Sequence, residues 1–546
     1  MVVNTRKIQL ALAAAAVLLT GSLAGCTPNG NGVNAAGNEN EGNKAGADAS
    51  TPGNANKGTA ENEGASQTRS FTYGWRRATM DFLKVEGRRI VDGRGREVRL
   101  RGFSFASWLN WENFILGMPG HETGVRQALV SVLGAERAEH FFTSFLNHFI
   151  QADDFRFIRS LGCNLVRIPF NYRHFESDEA PYGYLPEGFA WLDQAVGWAR
   201  DNGIYVILDM HAAQGGQNPN FHSDTITGHA AFWDHQSHRD RASALWREIA
   251  RRYRDEPAIA GYDLLNEPIP PHISQLNRFY LEAVRAIREV DERHIVFIEG
   301  DGYATRFDEL DPPFDENAVY SMHYYSACGM GNTEYPGTDP HSGRYWDREA
   351  LKREYIERSA FMRKHGVPNW FGETSVTFPA SVSQASRMRF LEDTLSIAEE
   401  QGDSWTFGIY KDLGKTGIVH VDPASEWVRR TAPVSRAIDA LHCNPFADHA
   451  DENDWIALCR KLGNHIHQTI GGLDGSASAE ELNRTVLFRL SECIAPVQLQ
   501  IPFARQFSAL SEAEIDGMMQ SFLLRNCRRH EGWADIVRRT TGADAQ

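Results

Sequence analysis

Polar residues that could take part in catalysis follow several short apolar segments of the chain. Asn266-Glu267 follows one of these segments, and Glu373 ends another. Other polar or aromatic residues at such ends are Arg167, Asp209, His211, His323, Tyr325 and Trp405. If the fold brings these ends together, two carboxyl groups would meet beside a guanidinium. Such a pair can divide the roles of nucleophile and general acid–base between its members.

Short apolar segments that are rich in β-branched or aromatic residues predict the strands that would position these side chains. They are residues 100–105, 165–169, 204–210, 261–265, 295–299, 319–323, 369–372 and 405–409. Stretches with helical periodicity, such as 191–202 and 241–253, separate most of them. The alternation predicts an α/β fold, a (β/α)8 TIM barrel, which carries functional side chains at the C-terminal ends of its strands. A doubly wound open sheet is the alternative, but no G-x-G-x-x-G motif follows an early strand.

The order of the motifs resembles glycoside hydrolase family 5, the cellulase-like group of retaining β-glycosidases. The resemblance rests on Leu-Leu-Asn-Glu-Pro at 264–268 and Phe-Gly-Glu at 371–373. The family's strand-two arginine, strand-three histidine, His-x-Tyr after strand six and strand-eight tryptophan match Arg167, His211, His323, Tyr325 and Trp405. The resemblance covers about residues 80–430. It implies hydrolysis of the O-glycosidic bonds of a β-glucan, a β-linked oligosaccharide or a glycoconjugate by double displacement, without a cofactor or a metal.

The resemblance implies that Glu373 is the nucleophile and Glu267 the acid/base. Retention requires the two carboxyl groups to lie roughly 5 Å apart. We expect Arg167 to lower the pKa of Glu373, and Tyr325 to add a hydrogen bond. Burial and the negative charge of Glu373 are expected to raise the pKa of Glu267, so that it is protonated when the leaving group departs.

Other matching residues are expected to bind the sugar. Asn266 would bond the 2-hydroxyl, a contact that strengthens in the transition state. Trp405 would offer a flat apolar face in the −1 subsite. His211 and His323 would hold hydroxyl groups or the two carboxyl groups.

Residues 108–112, with the sequence Trp-Leu-Asn-Trp-Glu, resemble the family's exo-acting β-glucanase branch, in which Glu112 would hold hydroxyl groups of the terminal sugar. The glycine pair usual before Trp-Leu is Ala106-Ser107 in this chain. Residues 117–148 and 217–234 are predicted as long loops on the same rim. Such loops narrow a groove into a pocket, which favours short glycans or glycoconjugates as substrates.

The composition excludes several classes of protein. The chain has 546 residues, of which 42% are hydrophobic and 11% aromatic, and this excludes a disordered chain. The net charge of −15 argues against nucleic acid as a partner. No protein partner is implied, and no cysteine or histidine spacing suggests a zinc site. Disulfides are possible in an exported protein, most readily after residue 440, where four of the six cysteines beyond Cys26 lie.

The first 25 residues resemble a bacterial lipoprotein signal peptide. A basic Arg6-Lys7 pair precedes the apolar stretch 8–19, and Leu-Ala-Gly-Cys at 23–26 resembles the site at which Cys26 would be lipidated. An ordinary signal peptide with a coincidental cysteine is the alternative. The lipoprotein interpretation predicts that the protein is exported and anchored to a membrane, at the outer membrane or the cell surface.

The rest of the chain divides into three predicted regions. Residues 26–70 carry the lipidated cysteine and a disordered tether rich in Asn, Gly and Ala. Residues 71–442 form the barrel, and residues 443–546 form a helical extension of unknown role. Within the extension, residues 455–469, 479–493 and 512–529 are predicted as amphipathic helices, with capping boxes beginning at Ser478 and Ser511. Three other functions stay open: a transglycosylase with the same carboxylate pair, a non-catalytic glycan-binding surface lipoprotein, and a metal-dependent barrel hydrolase with convergent His and Asp ligands.

Overall fold

The eight apolar segments that the sequence predicts as strands form a closed parallel barrel in the computed structural model. The structure describes residues 80–329, 333–340, 342–378, 381–443 and 454–543. The predicted signal peptide, Cys26 and the tether therefore lie outside the described residues. The strands are β1 Lys84–Glu86, β2 Arg89–Val91, β3 Arg101–Ser104, β4 Leu165–Asn171, β5 Tyr205–Ala212, β6 Ile259–Asp263, β7 Ile295–Glu299, β8 Ala318–His323, β9 Gly337–Thr338, β10 Tyr345–Trp346, β11 Asn369–Thr374, β12 Ser404–Phe407, β13 Lys411–Asp412, β14 Val419–Val421 and β15 Cys527–Arg529. The barrel order is β3-β4-β5-β6-β7-β8-β11-β12, and β12 pairs back to β3, so the predicted (β/α)8 barrel is confirmed.

Helices lie between most of the barrel strands and continue after the last one. They are α1 Asn113–Leu116, α2 Glu122–Leu133, α3 Ala135–Phe149, α4 Ala152–Ser160, α5 Pro186–Asp201, α6 Gln236–Tyr253, α7 Ile273–Arg288, α8 Asp301–Ala304, α9 Arg348–Arg358, α10 Ala360–His365, α11 Gln384–Gln401, α12 Glu426–Ala440, α13 Asp454–Ile470, α14 Ala479–Phe488, α15 Ala495–Arg505, α16 Glu512–Met519 and α17 Glu531–Thr541. A six-residue π-helical turn, Arg489–Ile494, joins α14 to α15. Among the described residues, no helix combines the length and apolarity needed to cross a bilayer.

The inward faces of the barrel strands change from apolar to polar along their length. A cluster of buried apolar residues fills the N-terminal half, and it includes Leu165, Ile207, Phe297, Val319 and Trp370. Side chains two positions apart share a face of a strand. The same inward faces therefore carry, two residues later, the buried polar side chains Arg167, Asp209, Glu299 and Ser321. This polar layer lies at the C-terminal ends of the strands, where the sequence predicts the site.

The segment before the barrel contains two turns, whereas the sequence predicts one hairpin with its turn at Asp92-Gly93. That turn is present: Val91 pairs antiparallel with Glu97, and the Oδ1 of Asp92 accepts hydrogen bonds from the amides of Arg94 and Arg96. The additional turn lies at Gly87-Arg88, between the antiparallel strands β1 and β2. Gly87 has a φ of 60°, a left-handed conformation that glycine adopts without a steric penalty.

Helices α2 and α3 occupy most of residues 117–148, so the prediction of a long loop there is wrong. Their buried apolar residues recur at helical spacing, as at Val125 and Leu129 in α2 and at Phe141 and Phe145 in α3. Helix α2 packs against α15. The rim of the barrel on this side is therefore a helical insert that contacts the C-terminal region.

The region after residue 443 is mainly helical, with one strand that the sequence does not predict. Helices α14 and α16 begin with the predicted capping boxes at Ser478 and Ser511, which are confirmed. The helix expected over 512–529 ends at Met519, and β15 then pairs antiparallel with β14. The Trp533 ring of α17 contacts the Phe407 ring of β12, with centroids 5.6 Å apart. The described residues form one compact unit, so this region packs as part of the barrel body.

The six cysteines of the described residues are free thiols. The disulfides considered possible after residue 440 therefore do not form among the described residues. Cys443 and Cys459, for example, are each 1% exposed and lie in the packed interior.

Candidate active site

Glu267 and Glu373 face each other at the C-terminal mouth of the barrel. Three atoms lie within 4.8 Å of one another: one carboxylate oxygen of Glu267, one of Glu373 and a ring nitrogen of His323. The two glutamate side chains expose only 13% and 14% of their surface. The sequence-predicted carboxylate pair is thus brought together in a narrow opening.

The backbone holds each glutamate at the mouth in a different way. The pairing of β11 with β8 shifts register between Phe371 and Glu373, so that Glu373 lies opposite His323. Such irregularities re-aim side chains at barrel rims. Glu267 lies beyond the end of β6 in a left-handed conformation with φ 50°, which is costly for a residue with a side chain. Its amide donates a 2.6 Å hydrogen bond to Oε2 of Glu299, which fixes this conformation.

Arg167 is fully buried at the centre of the polar layer. Its Nη1 donates to Oε1 of Glu373 at 2.5 Å, and its Nη2 donates to Oδ1 of Asn266 at 2.9 Å. Three further carboxylates surround the guanidinium at 2.9–3.1 Å: those of Asp209, Asp263 and Glu299. Burial opposes the charge of Glu373, but the cations of His323 and Arg167 outweigh burial and lower the pKa of this carboxyl, as expected.

The electrostatics of Glu267 differ from the expectation. Burial raises the pKa of the Glu267 carboxyl, but hydrogen bonds from His222 and His323 outweigh burial and lower the pKa overall. The prediction of a raised pKa is therefore wrong. Burial also opposes a positive charge on His323, yet the carboxylates of Glu299 and Glu373 raise its pKa well above the usual value. Both pKa directions favour the same ion pair, in which Nδ1 of His323 lies 2.8 Å from Oε1 of Glu267.

Tyr325 and His211 complete the set around the carboxylates. The Tyr325 hydroxyl donates to Oε2 of Glu373 at 2.8 Å, as predicted. His211 Nδ1 lies 2.7 Å from Oδ2 of Asp209, which fixes the orientation of the ring. Burial opposes the charge of His211, but the carboxylate of Asp209 raises the pKa of the imidazole.

Glu112 and Asn266 lie beside His211 in the same cleft. His211 Nε2 is 3.7 Å from Oε1 of Glu112 and 3.4 Å from Nδ2 of Asn266. Burial raises the pKa of Glu112 to about 7. Because Arg167 donates to Oδ1 of Asn266, the amide is fixed with its Nδ2 group on the His211 side.

Trp405 does not reach the cleft, so the prediction that it stacks on a sugar is wrong. It is the second residue of β12, and its side chain is 0% exposed. Its Nε1 donates a 2.9 Å hydrogen bond to Oε1 of Glu399 in α11. Since Phe407, two residues later, packs on the helix α17, this face of β12 points outward between the barrel and its helices.

Three acidic or basic residues of the site were not predicted. Asp263 and Glu299 end β6 and β7 on the inward face, so the alternation of apolar and polar residues in these strands could have indicated them. His222 lies in the short turn Phe221–Ser223 after β5, and its Nε2 is 3.1 Å from Oε2 of Glu267. No periodic signal marks a turn residue of this kind.

Among the residues that the structure describes, two groups of three side chains have the spacing of metal ligands. The groups are Glu267 with His323 and Glu373, and Asp209 with Asp263 and Glu299. In the second group, the guanidinium of Arg167 already lies 2.9–3.1 Å from each carboxylate. In the first, His323 bridges the two glutamates at 2.8 and 3.7 Å. The chain's own cations therefore occupy the positions that a metal would take.

Comparison with known proteins gives consistent matches. Residues 128–410 match the family model described as cellulase, glycosyl hydrolase family 5. A β-xylosidase of Phanerodontia chrysosporium is 34% identical over 477 residues, which is 84% of this chain and 98% of that protein. Endoglucanase C of Acetivibrio thermocellus is 27% identical, covering 49% of this chain and 85% of its own length. A probable glucan 1,3-β-glucosidase A of Neosartorya fischeri is 26% identical, covering 58% and 84%.

Proposed function

The chain belongs to glycoside hydrolase family 5 and is a β-glycosidase, and we propose that it cleaves short β-linked glycans or glycoconjugates with retention of configuration. The observation that carries this proposal is the separation of the two carboxylates. Their oxygens approach within 4.8 Å, together with His323. Retaining glycosidases hold their carboxyl groups about 5–5.5 Å apart, whereas inverting enzymes leave room for a water molecule between them.

In the first step, a carboxylate oxygen of Glu373 attacks the anomeric carbon as the bond to the leaving oxygen breaks. Arg167 and Tyr325 hold Glu373 ionised and oriented, since each donates a hydrogen bond to one of its oxygens. The leaving oxygen takes a proton from Glu267. Glu267 receives this proton from Nδ1 of His323: as Glu373 loses its charge to the glycosyl ester, the pKa of His323 falls, and the proton passes through Glu267 to the leaving oxygen.

In the second step, water replaces the leaving group. Glu267 accepts a proton from the water, the water oxygen bonds to the anomeric carbon, and the ester bond to Glu373 breaks. The Glu373 carboxylate is then restored between Arg167 and Tyr325. Two displacements at the same carbon give the original configuration.

The sugar in the cleft meets a row of polar groups next to the carboxylates. We expect the Nδ2 group of Asn266, whose Oδ1 is held by Arg167, to donate to the 2-hydroxyl, a contact that gains strength as charge develops on the ring. His211 and Glu112 lie further along this row and suit the other hydroxyl groups of a terminal sugar. The helical insert α2–α3 on the rim and the low exposure of the carboxylates favour short substrates.

The names of the relatives suggest which sugars to test first. The relative that aligns over 98% of its length is a β-xylosidase, and others are an endoglucanase and a probable glucan 1,3-β-glucosidase. We therefore infer a β-xyloside or β-glucoside as the substrate. Proton NMR of the first sugar released from an aryl β-xyloside and an aryl β-glucoside tests the proposal. The β-anomer should appear first, and the α-anomer appearing first would exclude retention.

The same assay separates the proposal from its alternatives. Addition of EDTA should leave the rate unchanged, because Arg167 and His323 hold the charges of the site. Loss of the rate with EDTA would favour a metal-dependent hydrolase. Failure to release sugar from any β-glycoside would favour a glycan-binding protein without catalysis.

We also propose that the protein is exported and anchored through a lipid on Cys26. The support is the sequence alone: a basic pair, an apolar stretch and Leu-Ala-Gly-Cys in order. The anchor would hold the enzyme at a bacterial membrane, and residues 27–70 would link the anchor to the barrel.

A further inference from the structure

The C-terminal region reaches the mouth of the barrel through the π-helical turn Arg489–Ile494. Arg489 Nη1 donates hydrogen bonds to the backbone oxygens of Thr227 and Gly228 at 2.8 and 3.0 Å. Gly228 has a φ of 67°, and a Cβ there would lie 2.6 Å from Arg489 and from Cys493. The turn is therefore closely fitted to the segment 213–235, which also carries His222. Turns of this type inside helices are frequent at functional sites.

The fitted turn directs Glu492 toward the polar residues of that segment. Oε2 of Glu492 lies 3.5 Å from Nδ2 of Asn220. Oδ1 of Asn220 accepts a 2.7 Å hydrogen bond from the Tyr303 hydroxyl. Tyr303 lies in the left-handed turn α8 with φ 61°, a strained conformation that keeps its ring beside Asn220. Three separate parts of the chain thus converge at one point of the rim.

Two hydrogen bonds connect this point to Glu267: the backbone amide of Asn220 donates to Oδ1 of Asn218 at 3.0 Å, and Nδ2 of Asn218 donates to the backbone oxygen of Glu267 at 3.0 Å. Oε1 of Glu267 faces His323 and the nucleophile side, at 2.8 Å from His323 Nδ1, whereas Oε2 faces His222 at 3.1 Å. Burial raises the pKa of the Tyr303 hydroxyl, and the charges of Glu267 and Glu492 raise it further. Glu267 gives its proton to the leaving oxygen. Groups beyond its Oε2 therefore flank the leaving group.

Glu492 has acceptor capacity that its protein contacts do not use. Its side-chain hydrogen-bond partner is the amide of Asn220, whose Nδ2 lies 3.5 Å from Oε2 of Glu492. No ion pair of Glu492 occurs within the described part of the chain. Burial raises the pKa of Glu492 to about 7. A carboxylate offers about four acceptor positions, and hydroxyl groups of a sugar are suitable donors.

We propose that Glu492 and Asn220 bind hydroxyl groups of the leaving-group sugar, so that the C-terminal region determines aglycone specificity. This inference rests on the proposed function, because it needs a leaving group that departs from Glu267. It gives the region after residue 443 a direct role in substrate binding. The ligand class is a β-linked disaccharide or a longer glycan whose second sugar carries free hydroxyl groups.

The test compares a β-linked disaccharide with an aryl β-glycoside of the same terminal sugar, since an aryl group has no hydroxyl groups to bind. In Glu492→Ala, kcat/KM for the disaccharide should fall at least about tenfold more than kcat/KM for the aryl glycoside, the loss expected for a hydrogen bond to a charged group. Glu492→Gln keeps the shape of the side chain, so the losses of kcat/KM on the two substrates should differ in the same direction but by a smaller factor. Glu480→Gln is the matched control, because Glu480 lies in the same region with 77% of its side chain exposed.

Two outcomes overturn the inference. Equal losses of kcat/KM on both substrates would show that Glu492 supports the fold or positions the acid/base Glu267. No loss of kcat/KM on either substrate would show that Glu492 does not contact the sugar. Thermal melting of both Glu492 variants identifies a folding defect, and Glu492→Gln keeps the test valid if the alanine variant does not fold. If the wild type hydrolyses neither substrate, the proposed function fails instead.

Discussion

His323 Nδ1 lies 2.8 Å from Oε1 of Glu267, while Nε2 of the same ring lies 3.1 Å from Oε1 of Glu299. The imidazole thus joins the proposed acid/base to a buried carboxylate that also binds the Glu267 amide. Because the pKa of His323 is raised well above its usual value, the proton required by the leaving group is held by this pair.

The first prediction concerns the alkaline limb of the pH profile. In the wild type, the pair keeps its proton above the usual histidine pKa of 6.5. In His323→Ala the proton must be held by Glu267 alone, and a carboxyl group loses its proton at lower pH than a histidine held by carboxylates. The alkaline limb of kcat/KM should therefore move to lower pH by at least about one unit. His140→Ala is the control, because His140 of α3 is likewise paired with a carboxylate, that of Asp516 in α16. An unmoved limb would contradict the role of His323.

The second prediction concerns Glu267 as the proton donor. Glu267→Ala should lower kcat/KM for a substrate with a sugar leaving group by about 10²–10⁴-fold, the usual contribution of a general acid. A dinitrophenyl glycoside needs little protonation, so its loss should be far smaller. Rates for the two substrates are compared at one pH. Losses of the same size would remove the acid role from Glu267.

The third prediction concerns Trp405, which the structure places outside the cleft. Trp405→Phe removes the hydrogen bond to Glu399 and part of a fully buried ring. The free energy of unfolding should fall by about 1–3 kcal/mol. The KM for an aryl glycoside should stay within about twofold of the wild-type value. A rise in KM without a loss of stability would restore the sugar-stacking role.

The fourth prediction concerns the anchor. Cys26→Ala should move the enzyme from the membrane fraction to the soluble fraction of a bacterial host, because the lipid attachment site is lost. Its kcat on an aryl glycoside should equal that of the wild type, since the change lies outside the barrel. The wild type expressed in the same host is the control. Membrane association that persists in the variant would exclude lipid anchoring at this residue.

The sequence predicts the barrel and most of the site because both depend on local patterns. Each strand is a short apolar segment, and polar residues toward its C-terminal end, such as Arg167 and His211, share the inward face by alternation. The prediction for Trp405 is wrong because a residue type alone does not tell which face of a strand is inward. Trp405 lies two residues before Phe407 in β12, so the two side chains share the outward face of the strand.

The remaining features depend on contacts between distant parts of the chain. Glu492 reaches the mouth only because Arg489 binds the backbone at residues 227 and 228, more than 250 positions away. The lowered pKa of Glu267 follows from His222, which a short turn brings to within 3.1 Å. No pattern within one segment could predict either of these contacts.

Azide rescue of Glu373→Ala tests the central claim most directly, because a small anion can take the place of the missing carboxylate. The variant should lose hydrolysis of an aryl β-glycoside, and added azide should restore release of the aryl group. The product should be the α-glycosyl azide, formed by a single displacement from the face that Glu373 occupies. A β-glycosyl azide, or a variant that hydrolyses the substrate at the wild-type rate without azide, would contradict the assignment of Glu373 as the nucleophile facing Glu267.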